Sequence, residues 1–247
     1  MVRYKVAAVS YLNTIPFIHG IKSSNIYDSI DLRLDYPSVC AQKLIDHEVD
    51  IALVPVAVLK QNPSFNIVSD FCIGADGEVD TVCLYSNVPL EEIEHLLLDY
   101  QSRTSVELLR ILCERFWEIS PVFKPSYIGF ESNIRNKTAA LIIGDRAFNV
   151  NGKYKFEYDL SHVWKQMTGL PFVFACWISN KNIDQGFLSE FNYALKSGLS
   201  EIEKAVEIEK HNFPHCNNPN DYLNNKISYI LDEEKRKGMR TFLSMII

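Results

Sequence analysis

The 247-residue chain carries 25 Lys and Arg against 31 Asp and Glu, a net charge of −6, and 47% of its residues are hydrophobic. That is enough apolar material for one large core or two of roughly 100 residues or more each. The lack of a long Lys/Arg block argues against nucleic acid or an anionic membrane as a partner, while a small anionic ligand stays compatible with the charge. No run reaches the roughly 18 apolar residues of a membrane span. Met1 to Ser10 leads into a short apolar strand without the apolar stretch and cleavage pattern of a secretory signal, so a cytoplasmic protein is expected. Cys40, Cys72, Cys83, Cys113, Cys176 and Cys216 are scattered without C-x-x-C spacing, which predicts thiols and no disulfides.

Val6 to Val9 reads as a buried strand, followed by a loop at Tyr11 to Thr14 and a short helix around Phe17 to Lys22. Leu32 to Leu34 is a second strand, Pro37-Ser38 opens a helix through Leu44 and Ile45, and Val49 to Pro55 is another apolar run. Ile67-Val68 and Val79 to Tyr85 continue as strands. After Asn87-Val88-Pro89 the pattern restarts with Leu96 to Leu98, a helix to Trp117, Val122-Phe123 and Ala139 to Ile143. A helix holding Trp164 and Met167 precedes the apolar strand Pro171 to Trp177, and from Asn182 onward only helical periodicity is visible. Short alternating strands and helices predict an α/β protein of two lobes, each a mainly parallel sheet flanked by helices, with two hinge crossings. Residues 1–86 plus 176–247 are expected to form one lobe and 87–175 the other, with a ligand cleft between them.

Four segments fall at predicted strand ends: Ser10 to Thr14, Asp80-Thr81-Val82, Gln101-Ser102-Arg103-Thr104-Ser105, and Gly144-Asp145-Arg146. Each offers hydroxyls, amides or backbone N–H groups, the donors a small dianion or hydroxylated acid needs. In the third, Thr104 or Ser105 can cap a helix whose apolar positions recur at Val106, Leu109, Leu112, Cys113 and Phe116, so the positive helix end faces one point. Arg103 would add a two-pronged charged donor there. Two readings of Asn13 stay open, an Asx turn before Pro16 and a donor to ligand. Asp145 is either an N-cap or an active acid, and Phe174 and Trp177 read as packing.

His211-Asn-Phe-Pro-His215-Cys216 gathers two imidazoles and a thiol, but Pro214 interrupts the helix that would align them, so no metal is expected. No nucleophile motif, Gly-rich phosphate loop or dinucleotide fingerprint is present, which favours chemistry without a cofactor.

Val9-Ser-Tyr-Leu-Asn-Thr14, Pro37-Ser38, Glu48-Val-Asp-Ile-Ala-Leu-Val-Pro55, Leu98-Asp-Tyr-Gln-Ser-Arg-Thr-Ser105, Leu141-Ile-Ile-Gly-Asp-Arg-Ala147 and Thr168 to Trp177, with a looser tail of Tyr222, Tyr229, Gly238 and Phe242, together make the chain resemble the chorismate dehydratases of the futalosine route to menaquinone. The resemblance runs the length of the chain. It implies a two-lobed periplasmic-binding-protein type II fold, a cofactor-free lyase, and loss of water from chorismate to give 3-[(1-carboxyvinyl)oxy]benzoate. It also implies that the substrate's own enolpyruvyl carboxylate takes the proton. Asn13 is then the expected catalytic residue, with Tyr11, Ser38, Thr81, Val82, Ser102, Arg103, Thr104, Ser105, Gly144 and Asp145 as substrate-binding residues and no metal. The chain departs from the family pattern at His47, usually Gly, and at Asp80-Thr81, usually a basic residue followed by Ser. The alternatives are a non-catalytic binder of a small carboxylate and the 1,4-dihydroxy-6-naphthoate synthase of the same pathway, whose Pro-Asn-Asp turn is replaced here by Tyr-Leu-Asn-Thr.

Overall fold

The computed structural model describes residues 3–246. The chain begins with β1 (Tyr4–Val9), α1 (Ile15–Lys22), β2 (Ile30–Asp35), α2 (Pro37–Ile45), β3 (Ile51–Pro55), the short α3 (Val58–Gln61) and the long β4 (Asn66–Ala75). It crosses into β5 (Val82–Ser86), β6 (His95–Leu98), α4 (Thr104–Arg115), β7 (Val122–Pro125), β8 (Thr138–Ile143), β9 (Phe156–Asp159) and α5 (Leu160–Thr168). It then returns through β10 (Phe172–Ser179) to α6 (Gln185–Ser200), α7 (Ile202–Glu209), α8 (Pro219–Asp221), β11 (Ser228–Ile230) and α9 (Glu233–Met245).

These strands build two sheets, one ordered β11-β4-β10-β3-β1-β2 and the other β7-β6-β8-β5-β9. All five residues of β3 and all eight of β10 are buried, as expected of central strands covered on both faces. The edges differ in character: β2 keeps Arg33 exposed, and β7 ends on Pro125, which has no N–H to offer a further strand.

The sheets are mixed, not mainly parallel. In the first, β1 runs parallel to β2 and β3, whereas β10 is antiparallel to β3 and β4, and β4 to β11. In the second, β6 is parallel to β7 and β8, and β5 antiparallel to β8 and β9. A fully buried strand is apolar whichever way its neighbours run, so direction is absent from the hydrophobic pattern.

Sheet membership also shifts the expected division of the chain. β5, placed with residues 1–86, pairs only within the second sheet, and Phe172 to Ala175, placed with 87–175, pair in the first. The crossings therefore lie at residues 76–81 and 169–171. Asp159 ties the first crossing to the second sheet. Its carboxylate accepts from the Val79 and Asp80 amides at 2.8 and 2.7 Å while capping α5 through Ser161 and His162 at 3.0 Å each.

The final third returns to the first sheet. α6 crosses α1 with backbone against backbone, so close that a Cβ on Gly198 would stand 1.9 Å from the Pro16 carbonyl oxygen. The tail also adds β11 beside β4, a strand that helical periodicity after Asn182 did not predict. Five of the cysteines are buried, and burial pushes the Cys40, Cys72 and Cys113 thiols up to about 12. Among the described residues no helix is long and apolar enough to cross a membrane.

Candidate active site

Loops from both sheets meet over a narrow cavity of about 60 Å³. Val9, Pro37, Pro55 and Ile73 line it from the first sheet, Val82 and Ile143 from the second, and Phe174 and Ala175 from the returning strand. The polar lining is Tyr11, Asn13, Thr81, Ser102, Thr104 and Ser105, with Gly144 beside them, and no lining residue carries a charge.

The turn between β6 and α4 supplies three of those hydroxyls. Asp99, buried, organises it by accepting from the Gln101 and Ile143 amides at 2.9 Å each and receiving Arg146 at 2.5 and 2.6 Å. Burial raises the Asp99 carboxyl, while Arg146 and the two amides pull against it. Arg146 is also paired with Glu131 at 3.0 Å and lies over the Tyr100 ring at 5.0 Å. The guanidinium of this segment thus fixes a loop and leaves the ligand space uncharged.

The cap of α4 is not the one expected. Ser102 Oγ accepts from the Ser105 amide at 3.1 Å, and Thr104 Oγ1 accepts from the Ala57 amide at 3.2 Å, linking this helix to the first sheet. Each hydroxyl acts as an acceptor in these bonds, which leaves its own proton free to donate. Arg103 departs further from expectation. It extends along the surface to Gln42 Oε1 at 3.0 Å and does not line the cavity. Ser38 is likewise a joint, donating from its amide to the Gln101 carbonyl at 3.1 Å and from its hydroxyl to the Tyr100 carbonyl at 3.3 Å.

Asn13 sits in a one-turn 3-10 helix, Leu12–Thr14, rather than an Asx turn. Its side-chain oxygen accepts from Thr14 Oγ1 at 3.1 Å, and the residue lines the cavity. The Tyr229 phenol donates to the Asn13 carbonyl at 3.1 Å, and the Tyr222 phenol stands beside the Asn13 amide and 2.8 Å from Thr81 Oγ1. The Thr81 hydroxyl also lies 3.3 Å from the Val79 carbonyl, so it is held within the protein on both counts. Burial pushes the Tyr222 phenol well above its ordinary value. Both tyrosines were legible only as scattered tail positions; their part in seating Asn13 was not.

Tyr11 divides this cavity from a second, outer one. Its phenol donates to Gln101 Oε1 across the cleft, and its ring lines both spaces. Burial, with Asp99 nearby, raises that phenol far above its ordinary range. Gly144 permits the arrangement: it holds φ at +65°, and a Cβ there would be 2.5 Å from the Tyr11 ring. Asp145 faces the outer cavity, where Phe213, His215 and Cys216 form the opposite wall, and its carboxylate accepts from the Leu12 amide. Among the described residues no cluster of His, Cys, Asp and Glu has the makings of a metal site.

Two mixed α/β sheets joined by two crossings, with an uncharged and largely apolar cavity between them, define a two-lobed protein of the periplasmic-binding-protein kind. The sequence profile described as menaquinone biosynthesis matches residues 4–246, and the chain belongs to that family. The chain is 26% identical to the chorismate dehydratase of Thermus thermophilus over 263 residues, covering 97% of this chain and 93% of that one. Among solved structures, an Archaeoglobus fulgidus protein superposes with a TM-score of 0.80 at 12% identity, covering 98% of this chain and 96% of its own. The periplasmic aliphatic sulphonate binding protein of Escherichia coli gives 0.63 at 12% identity, with 99% and 86% covered. A Candida albicans gene product described as having the generic periplasmic binding protein fold gives 0.66 at 8%, with 100% and 90% covered. These likenesses establish the fold.

Proposed function

We propose that this protein is a chorismate dehydratase, a carbon–oxygen lyase that eliminates water from chorismate to leave 3-[(1-carboxyvinyl)oxy]benzoate. The observation that carries this reading is the cavity lining: N–H and O–H donors set among apolar walls, with no charged side chain. Membership of the menaquinone biosynthesis family and the Thermus relative support it.

The ring carbon bearing the enolpyruvyl ether loses its proton, the neighbouring carbon loses hydroxide, and the two combine as water while the ring becomes aromatic. Aromatisation makes the step strongly downhill, so the protein must chiefly fix the conformer and stabilise the developing charge. With no His, Asp, Glu or Lys in the lining and the Tyr11 phenol raised far above neutrality, the basic groups in the cavity are the substrate's own carboxylates. The side chain of the substrate, folded over its ring, brings the enolpyruvyl carboxylate to the proton. The ring carboxylate is anchored by the Ser102, Thr104 and Ser105 hydroxyls and the dipole of α4. Asn13 then donates through its amide nitrogen to the departing hydroxyl, in a site whose walls exclude water.

Incubating the purified chain with chorismate alone, and following absorbance and mass, should show the aromatic ether forming with loss of one water. Binding without product would convert the reading to a carboxylate-binding protein. No binding at all would end it.

A further inference from the structure

Asp145 lies where β8 hands over to the loop bearing Gly144, and its two oxygens stand 3.1 and 3.2 Å from the Leu12 nitrogen in the turn after β1, across the cleft. It is half-buried and has no cationic partner. Its neighbour Arg146 is turned to Asp99 and Glu131. Burial accordingly pushes its carboxyl up to about 7, with the Leu12 amide pulling the other way. A buried carboxyl without a cation costs stability, and the return visible here is one hydrogen bond to a backbone amide.

That amide opens the single 3-10 turn carrying Asn13. In the middle of the turn, the Tyr229 phenol holds the Asn13 carbonyl at 3.1 Å. The turn is thus gripped from the second sheet at its first amide and from the tail at its middle carbonyl. Asp145 itself lines only the outer cavity, behind Tyr11, and stays off the substrate.

We propose that Asp145 is a positioning residue for the elimination: by receiving the Leu12 amide across the cleft it sets the turn, and so aims the Asn13 amide at the departing hydroxyl. The proposal rests on the chorismate dehydratase reading. It replaces the two roles the sequence left open for Asp145, helix cap and active acid, with a third.

The test compares Asp145→Ala and Asp145→Asn. Loss of the acceptor should lower kcat roughly 10- to 100-fold, the scale of a displacement of about 1 Å at a reacting group, with KM changed less than about threefold. Asparagine keeps an oxygen acceptor in place and should recover most of the loss. The kcat-against-KM split is the readout that a merely structural role leaves unmoved, and the Leu12 amide proton reports the bond itself: in the wild type it should titrate with a midpoint near 7, and in Asp145→Asn it should not. The other titratable groups around the carboxyl are Tyr11, Tyr222 and Cys216, all raised above their ordinary values, Arg146, and His215 on the outer wall. His215→Gln should leave the Leu12 titration in place.

Alanine turning over like wild type, asparagine as impaired as alanine, or a Leu12 amide silent to pH would each overturn the proposal. Because the titration is read on the wild type and the asparagine variant, the proposal can still be overturned where the alanine variant does not fold. A wild type that leaves chorismate intact would overturn the functional reading instead, and the Leu12 titration would still report whether the bond exists.

Discussion

Asn13 shows what a single side chain owes to its surroundings. Its oxygen is occupied by Thr14, its carbonyl by Tyr229, and its amide lies beside the Tyr222 phenol, so the rotamer is settled before a ligand arrives. Such preorganisation is what lets a neutral amide stabilise developing charge. Asn13→Ala should therefore lower kcat by about 10²- to 10³-fold, the scale of one lost donor to a transition state, while thermal unfolding moves little because the side chain is only half-buried. Turnover equal to wild type would remove Asn13 from the mechanism. The residue itself was legible in the S-Y-L-N text, whereas its support was not, since Tyr229 is 216 residues away in sequence and local periodicity carries no trace of such a partner. Arg103 is the converse. Its position in a hydroxyl-rich turn suggested a carboxylate clamp, but a long flexible side chain at a helix start can leave the site, and here it reaches Gln42.

At the scale of elements, α4 is the proposed anchor, and its first turn depends on Ser102. The helix was readable from spacing, and Leu109, Leu112 and Cys113 of the expected stripe are buried, but Phe116 is exposed and Leu108 and Ile111 fill the core in its stead. The identity of the cap was not, because Ser102, Thr104 and Ser105 are all competent capping residues and only the entry angle of the chain chooses among them. Ser102→Ala should cost about 1 kcal/mol in stability and raise KM several-fold, with a smaller change in kcat, since the loss falls on ground-state binding of the ring carboxylate. Steady-state kinetics alongside thermal unfolding would check it; a fall in kcat at constant KM would move Ser102 from anchoring to chemistry. The strands taught a similar lesson. Most strands were clear from buried runs, but β5 and the first half of β10 were assigned to the wrong sides because a hinge next to a strand leaves no mark on the strand's own composition.

For the whole molecule, the two sheets are held closed by a few hydrogen bonds across the cleft: Tyr11 to Gln101, Ser38 to the Tyr100 and Gln101 carbonyls, Ala57 to Thr104 and Leu12 to Asp145. Of the acceptors in this set only Asp145 titrates, and the sign of its effect follows from linkage. Its carboxyl rises from an ordinary 3.8 to about 7 in the folded chain, so the folded state holds the proton more tightly than the unfolded one. The stabilisation that follows is fully present below about pH 4, fades as the pH climbs, and is gone above about pH 7. An amide at this position escapes the penalty of burying a charge while still accepting from Leu12. Asp145→Asn should thus gain on the wild type as pH rises, by at most about 1.4 kcal/mol for each pH unit between roughly 4 and 7, and hold a constant lead beyond. Urea unfolding of both proteins at several pH values across that window measures the difference directly, cancelling the carboxylates they share. A lead that stays flat from acid to neutral pH would mean that the cleft admits water to this carboxyl, and that the closed arrangement is held by the other joints.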